Sequence, residues 1–345
     1  MSIKRTLGRL ALIAAACGTM AMAQAETTIA YITNGNTNEG WTLINGGAAG
    51  AAKKAGVKFI QLAAEKGALS SQLAIVEDMI TRKVSAIAIA PVDSAGIAPA
   101  ITKAMKAGIP VVAVDTGISG ADITSYVATD NIKAANVQGK WTASQVKSGD
   151  TVIYVTGDQG QSTGRERKQG FLDGLNQNVK GVKVVEVPTT WDQTMAQNGV
   201  EAALRANPNA KVIANAWDGG ALGAKAAMLS QGYKAGSIKI AGFDGSPGGL
   251  DMMKDGWQQA NAAQMLAKIG QVGVETAIAA AKGAKVEAMG KDHPTLLHQM
   301  SKLHKAGYTH VTMHVGSDRV HEFHTLLHKY NGADMKHGHY NFKSI

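Results

Sequence analysis

From Thr27 to about Lys282, short apolar runs alternate with longer stretches whose apolar positions recur every three to four residues. TTIAYIT (27–33), VKFIQLA (57–63), SAIAIAP (85–91) and PVVAVD (110–115) are brief, rich in Val and Ile, and bounded by Gly, Asp or Pro. That pattern predicts strands buried on both faces of a parallel sheet. Between them, Ala-rich amphipathic segments such as SQLAIVEDMITRK (71–83) and GIAPAITKAMKAG (96–108) are long enough for crossover helices. The series starts again with DTVIYVTG (150–157), GVKVVEV (181–187), AKVIANA (210–216) and SIKIAGFD (237–244). Two successive series of this kind predict an α/β fold of two doubly wound parallel-sheet domains joined by a hinge.

In such sheets ligands bind beyond the carboxyl ends of the strands. The segments that follow the predicted strands are therefore the candidate cleft: 34–41, Asp115 and Thr116, Asp130 and Asn131, 159–167, Trp191 and Asp192, Trp217 and Asp218, and Phe243 and Asp244. Aromatic rings alternate there with carboxylates, amides and arginine. Neither GxGxxG nor GxxxxGK[ST] occurs, so the glycine cradle that phosphate needs is missing and no nucleotide cofactor is expected. Residues 26–290 contain no histidine or cysteine, which removes the usual general base and nucleophile pairs. No catalytic residue is assigned. Trp141 and Trp257 lie away from the strand ends and are expected to pack or sit at the surface.

The charge changes the picture only once it is located. The 345 residues carry a formal net charge of +9, yet residues 1–25 hold three basic and no acidic groups, and 291–345 hold seven basic and four acidic. That leaves 25 basic against 22 acidic groups in 26–290, too even a balance to imply a nucleic-acid partner. At the amino end, Lys4, Arg5 and Arg9 precede the apolar run LALIAAACGTMAMA and the small-residue site Ala23-Gln24-Ala25. This predicts a secretory signal peptide over 1–25, cleaved before Glu26. Cys17, the single cysteine, falls within it, so the exported protein needs no disulfide. No other stretch approaches the roughly 20 apolar residues of a membrane span.

Four motifs carry a resemblance: AGIPVVAVD (107–115), ATDN (128–131), STGRERKQGF (162–171) and IAGFDGSPGG (240–249). Together, over about residues 27–288, the chain resembles the periplasmic solute-binding proteins of sugar ABC transporters, in the ribose-binding-like branch. The resemblance implies an amino-terminal domain of 26–130 plus 265–290 and a carboxy-terminal domain of 131–264. They would close on one monosaccharide or similar polyol and present it to a membrane permease. It further implies a non-enzymatic, monomeric protein of the periplasm without cofactor or metal.

By the same resemblance, Asn38 and Trp41 supply an amide and a ring from the first loop, where Gly40 replaces a second aromatic of the family. Asp115 and Asp244 match carboxylates that accept hydrogen bonds from hydroxyls, and Asn131 and Arg167 match amide and guanidinium ligands. Thr116 stands where ribose-binding relatives have an arginine. Trp191 falls at an aromatic position, Trp217 where ribose binders have asparagine, and Gln264 at the hinge. Three tryptophans favour a hexose or a cyclic polyol such as inositol over a pentose. A chemoreceptor or quorum-signal carrier is the alternative within this fold.

All ten histidines lie in the last 53 residues. There, 294–306 and RVHEFHTLLHKY (319–330) predict helices and THVTMHV (309–315) a strand. His321, His324 and His328 share a helical face but lack acidic or cysteine company, so no metal site is assigned. VGSDRVHEFHTLLHKYNG (315–332) and HYNFKSI (339–345) are similar to a stretch of phage-type nucleotidyltransferases, in which the GSDR turn lies near phosphates. The HxGH motif of that family has no counterpart here. Residues 291–345 are thus expected to be a foreign fragment without catalysis of its own, and a nucleotidyltransferase-related fusion enzyme is the alternative from another class.

Overall fold

The computed structural model describes residues 26–284, with Val286. Residues 1–25, predicted as a signal peptide, and the histidine-rich tail 291–345 lie outside the described residues. The first part of the chain runs β1 (Thr28–Thr33), α1 (Glu39–Ala55), β2 (Lys58–Ala63), α2 (Leu69–Thr81), β3 (Ala86–Ile89), α3 (Ala98–Lys106), β4 (Val111–Val114) and β5 (Ser125–Val127). Then follow α4 (Asn131–Ala143), β6 (Thr151–Val155), α5 (Ser162–Asn178), β7 (Lys183–Val187), α6 (Gln193–Ala206), β8 (Val212–Asn215), α7 (Asp218–Ser230), β9 (Lys239–Asp244), α8 (Pro247–Lys254), β10 (Ala260–Ala263) and α9 (Leu266–Ala281).

The strands form two five-stranded sheets in the orders β2-β1-β3-β4-β5 and β7-β6-β8-β9-β10, every pair parallel. Both share one doubly wound order, so each lobe has its switch point beside its first strand. The eight apolar runs are all strands. Two further strands, β5 (SYV) and β10 (ANAA), complete the sheets without Val- and Ile-rich runs of their own.

In the first sheet, period-two alternation sends side chains to two buried faces. Ile29, Tyr31, Val112 and Val114 pack beneath α1 and α9, whereas Ala30, Ile32, Ile87 and Ile89 pack beneath α2 and α3. The second sheet is buried around Val152, Ile153, Tyr154, Phe171, Ile213 and Phe243, with Trp141 and Trp257 partly buried against that core.

The helices that follow the crossings pack in exchange. Helix α4, entered from β5 of the first sheet, packs on α5 of the second lobe, and α9, entered from β10 of the second sheet, packs on α1 of the first. Glycines bring these pairs together. A Cβ on Gly270 would fall 1.9 Å from the Ile44 carbonyl oxygen, one on Gly47 1.8 Å from that of Ala267, and one on Gly170 2.2 Å from that of Ile132. Asp130 caps α4 by accepting from Lys133 N, which fixes the first crossing.

At the cleft end of each sheet, a buried glutamine bridges neighbouring strands. Gln72 donates to the carbonyls of Thr33 (3.2 Å) and Ala90 (2.8 Å) and accepts from Val92 N (2.8 Å). Gln138 donates to the carbonyls of Asn215 and Gly242, each at 2.9 Å. These amides satisfy carbonyls that splaying strand ends would leave unpaired. The lobes also touch directly. Ser162 N donates to Ser94 Oγ (2.9 Å), Gly117 N to Ser162 Oγ (2.8 Å), and Gly248 N to Glu39 Oε2 (2.7 Å).

Two glycines of the α1–α9 pair should separate sharply. Gly270→Ala forces the helices apart and is expected to cost about 1–3 kcal/mol. Gly50→Ala, on the exposed face of α1 with nothing within 4 Å of a Cβ, is expected to stabilise by roughly 0.5–1 kcal/mol. Urea midpoints of the two variants at constant slope measure both.

Candidate functional site

A cleft of about 370 Å³, partly open to solvent, lies between the lobes. Its wall is drawn from both sheets at their carboxyl ends. Asn36, Asn38, Gly40, Trp41 and Ile44 come from the loop after β1 and from α1; Asp115 follows β4. The second lobe supplies Gln161, Thr163 and Arg167 from the start of α5, then Trp191 after β7, Trp217 after β8 and Asp244 at the end of β9. Gln264 and Leu266 come from the second crossing.

Asn38 caps α1: its Oδ1 accepts from Trp41 N at 3.0 Å, which sets the Trp41 ring against the cavity. Gly40 leaves room beside it. A Cβ there would stand 3.6 Å from Asp244 Oδ2, so the missing side chain widens the cavity next to that carboxylate.

Asp115 holds a left-handed backbone (φ 64), fixed as its N–H donates to the Val127 carbonyl at 2.8 Å. Its Oδ2 accepts from Thr116 Oγ1 at 2.9 Å. Burial raises its carboxyl above the usual range, against the lowering effects of Arg167 and Thr116. Thr116 itself does not line the cavity. It is fully buried behind Asp115, with its hydroxyl 3.5 Å from Thr163 Oγ1 of the opposite lobe.

Arg167 is the buried hub. Its Nε donates to Asn131 Oδ1 (2.8 Å), its Nη1 to the Ala216 carbonyl (2.8 Å) and, more weakly, to Asp244 Oδ1 (3.4 Å). The guanidinium carbon stands 4.1 Å from the Phe243 ring centroid and 5.4 Å from that of Trp191, so both rings contribute cation–π attraction. Asn131, expected as a direct ligand, lies behind the wall instead. Its amide oxygen is spent on Arg167, and its Nδ2 donates to the Thr129 carbonyl and to Glu166. Arg165 donates to the Gln159 carbonyl at the surface.

Asp244 also has a positive φ, 117. Its Oδ1 accepts from Gln264 Nε2 at 2.6 Å, and Gln264 Oε1 accepts from Thr129 Oγ1 at 2.7 Å, which ties the two crossings together beside the carboxylate. Burial pushes the Asp244 carboxyl up to about 6; Arg167 and Gln264 lower it and Asp115 raises it.

The rings have their own supports. Trp191 (φ 64) lies over Gly157, where a Cβ would fall 1.9 Å from the ring. Its Nε1 donates to Gln161 Oε1 at 2.8 Å, while Gln161 Nε2 donates to the Val92 carbonyl of the first lobe at 3.1 Å. Trp217 packs edge-on to Trp191 at 5.4 Å and 87°.

Thus Asn38, Trp41, Asp115, Arg167, Trp191, Trp217, Asp244 and Gln264 meet in one cavity, and Thr116 and Asn131 hold its wall from behind. Sequence reasoning marked the segments 34–41 and 159–167 without singling out Asn36, Gln161 or Thr163. Their position directly after β1 and β6 was the available signal. Asp115 Oδ1, Arg167 Nη2 and Asn38 Nδ2 are left without a hydrogen bond to another described residue. The cavity can therefore take hydroxyl protons at carboxylates, offer guanidinium and amide donors, and face an apolar surface with indole rings.

Comparison with known proteins bears on the family and the fold. Residues 29–285 match the family described as "Periplasmic binding protein domain". The ribose import binding protein of Salmonella typhimurium is 31% identical over 288 residues, covering 84% of this chain and 96% of that protein. A solved periplasmic solute-binding protein of an ABC transporter from Actinobacillus succinogenes, with bound D-allose, is 29% identical with a TM-score of 0.70, over 76% of this chain and 94% of that one. The Caulobacter myo-inositol binding protein, at 24% identity, shares the fold with a TM-score of 0.73 over 76% of this chain and 90% of its own. With the matched family spanning both lobes, the chain belongs to the periplasmic binding proteins.

Proposed function

We propose that this chain captures one monosaccharide or cyclic polyol between its lobes and hands it to the permease of an ABC importer. It would work in the periplasm after loss of residues 1–25, and catalyse nothing. The observation that carries this reading is the make-up of the cavity wall: three indole rings, Asp115 from one lobe, Asp244 from the other, and Arg167 between them. A sugar ring presents an apolar C–H face and an equatorial rim of hydroxyls. Indoles suit the first, and buried carboxylates with a guanidinium suit the second. The ribose importer protein of Salmonella and the allose-bound protein of Actinobacillus support the ligand class and the transport role.

Asn38, Trp41, Asp115, Arg167, Trp191, Trp217, Asp244 and Gln264 are the proposed contacts, with Thr116 and Asn131 as their supports. Three tryptophans and the space beside Gly40 favour a six-carbon ligand, a hexose or inositol, over a pentose. Because the wall is assembled from both lobes, a ligand touches all of it only when they are shut. Binding then shifts the population toward the closed form by as much as those extra contacts are worth. Tryptophan fluorescence and calorimetry against pentoses, hexoses and inositols should give a saturable response to one class. Asp244→Ala should weaken it by about 2–5 kcal/mol, the cost of truncating a buried hydrogen-bonded charge. A cooperatively folded protein that answers to none of them would end the sugar reading.

The raised Asp244 carboxyl gives a pH signature of two signs. In the ligand-free protein its folded value, about 6, lies above its ordinary 3.8. Its contribution to stability is therefore complete below the unfolded value and is lost as pH rises through about 6. Melting scans should show ligand-free stability gaining from this group between about pH 7 and pH 5, and Asp244→Asn should shrink the gain. Ligand hydroxyls bind the ionised carboxylate, so affinity should fall over the same interval as pH drops.

A further inference from the structure

Asp218, the first residue of α7, is 1% exposed and forms no ion pair among the described residues. An isolated buried carboxylate is costly to the fold, and burial, with the charge of Asp244 nearby, raises its carboxyl well above the usual range. Yet the chain makes a niche for it. A Cβ on Gly249 would fall 2.2 Å from Asp218 Oδ2, and one on Gly242 would fall 2.5 Å from Oδ1. What the carboxylate holds is the turn after β9. Asp218 Oδ2 accepts from Ser246 N at 2.8 Å, and Oδ1 accepts from Asn261 Nδ2 at 2.7 Å. Asn261, fully buried, accepts in turn from Gly245 N at 2.9 Å through its own Oδ1.

That turn needs holding. Asp244 and Gly245 both have positive φ, 117 and 68, and a non-glycine residue keeps such a backbone only where its surroundings over-determine it. The Asp244 carbonyl is tied to Gln264 N at 2.9 Å. The next two amides of the turn are tied by Asn261 and Asp218 and by nothing else among the described residues. We infer that Asp218 and Asn261 are a positioning pair for the binding cavity: they hold the 244–246 turn in the conformation that aims the Asp244 carboxylate at the ligand, without touching the ligand themselves. The inference rests on the reading of Asp244 as a ligand contact. It explains why an unpaired carboxylate is kept where a neutral side chain would suit the fold better.

The test is an exchange of the two side chains. In Asp218→Asn, amide faces amide, and one of the three hydrogen bonds is lost. In the double variant Asp218→Asn with Asn261→Asp, all three can form again: the carboxylate introduced at position 261 accepts from Gly245 N and from the new amide at position 218, whose oxygen accepts from Ser246 N. Calorimetry uses D-ribose, D-allose and myo-inositol as probes. For whichever the unaltered protein binds, the single variant should bind about tenfold or more weakly, and the exchanged pair should return to within about threefold. The single variant should still melt cooperatively, with its melting temperature lowered by no more than the loss of one buried hydrogen bond. Wild-type affinity in the single variant, or an exchanged pair that folds yet binds as weakly as the single variant, overturns the inference while leaving the sugar reading intact. If the unaltered protein binds none of the three, the reading of the cavity fails for these ligands. Amide hydrogen exchange at Gly245 and Ser246 then decides: faster exchange in the single variant, restored by the exchanged pair, supports the clamp, and unchanged exchange overturns it.

Discussion

Each lobe is finished by a helix that belongs, in chain order, to the other. Helices α4 and α9 reach across and lie so close to α5 and α1 that glycine backbones meet carbonyl oxygens. Contact of this kind does not slide or stretch, because packed interiors have few intermediate arrangements. Relative motion of the lobes is therefore confined to the residues between the exchanged helices and their preceding strands, where Thr129 and Gln264 share a hydrogen bond. The Asp244 carboxylate hangs from that same glutamine. The point about which the lobes move and the point at which charge meets the cavity are thus one structure.

Electrostatically the cavity is held together by a single guanidinium. Arg167 reaches Asn131, the Ala216 carbonyl and Asp244 while lying on Phe243. Its attraction lowers both Asp115 and Asp244, though burial still leaves each carboxyl raised. The residues behind the wall matter as much as those on it. Asn131 spends its oxygen on orienting the arginine, and Thr116 spends its hydroxyl on one oxygen of Asp115, while the other has no hydrogen bond from a described residue. A fork with fixed arms specifies more than a charge free to swing.

Most of this fold was legible because buried parallel strands need long apolar side chains on both faces, which makes Val- and Ile-rich runs such as VVAV and TVIYV stand out. SYV and ANAA escaped because they are short strands at sheet edges, where Ala and Ser meet the requirement without leaving a pattern. Of the site, the strand-end rule marked the segments that supply most of the wall within the two βα series, but not Ile44 of α1. It could not rank residues within a segment, since depth depends on how a turn aims its side chains. Asp115 and Thr116 are neighbours in sequence, yet only the first faces the cavity. Asn131 and Gln161 show the same limit in opposite directions, one drawn back onto an arginine and one brought forward onto an indole. Asp218 stood out only as a member of a strand-end segment, since a carboxylate at the first turn of a helix is ordinary until its burial is known.

The Gln161 side chain carries a consequence for the order of events. One of its ends holds the Trp191 ring and the other the Val92 carbonyl of the opposite lobe, so that ring receives its full support only when the lobes have met. A molecule arriving at a parted cleft meets a looser surface than the one that later encloses it. Discrimination among similar solutes is then exercised after capture rather than at encounter. Good and poor solutes would enter at comparable rates and differ chiefly in how long they stay.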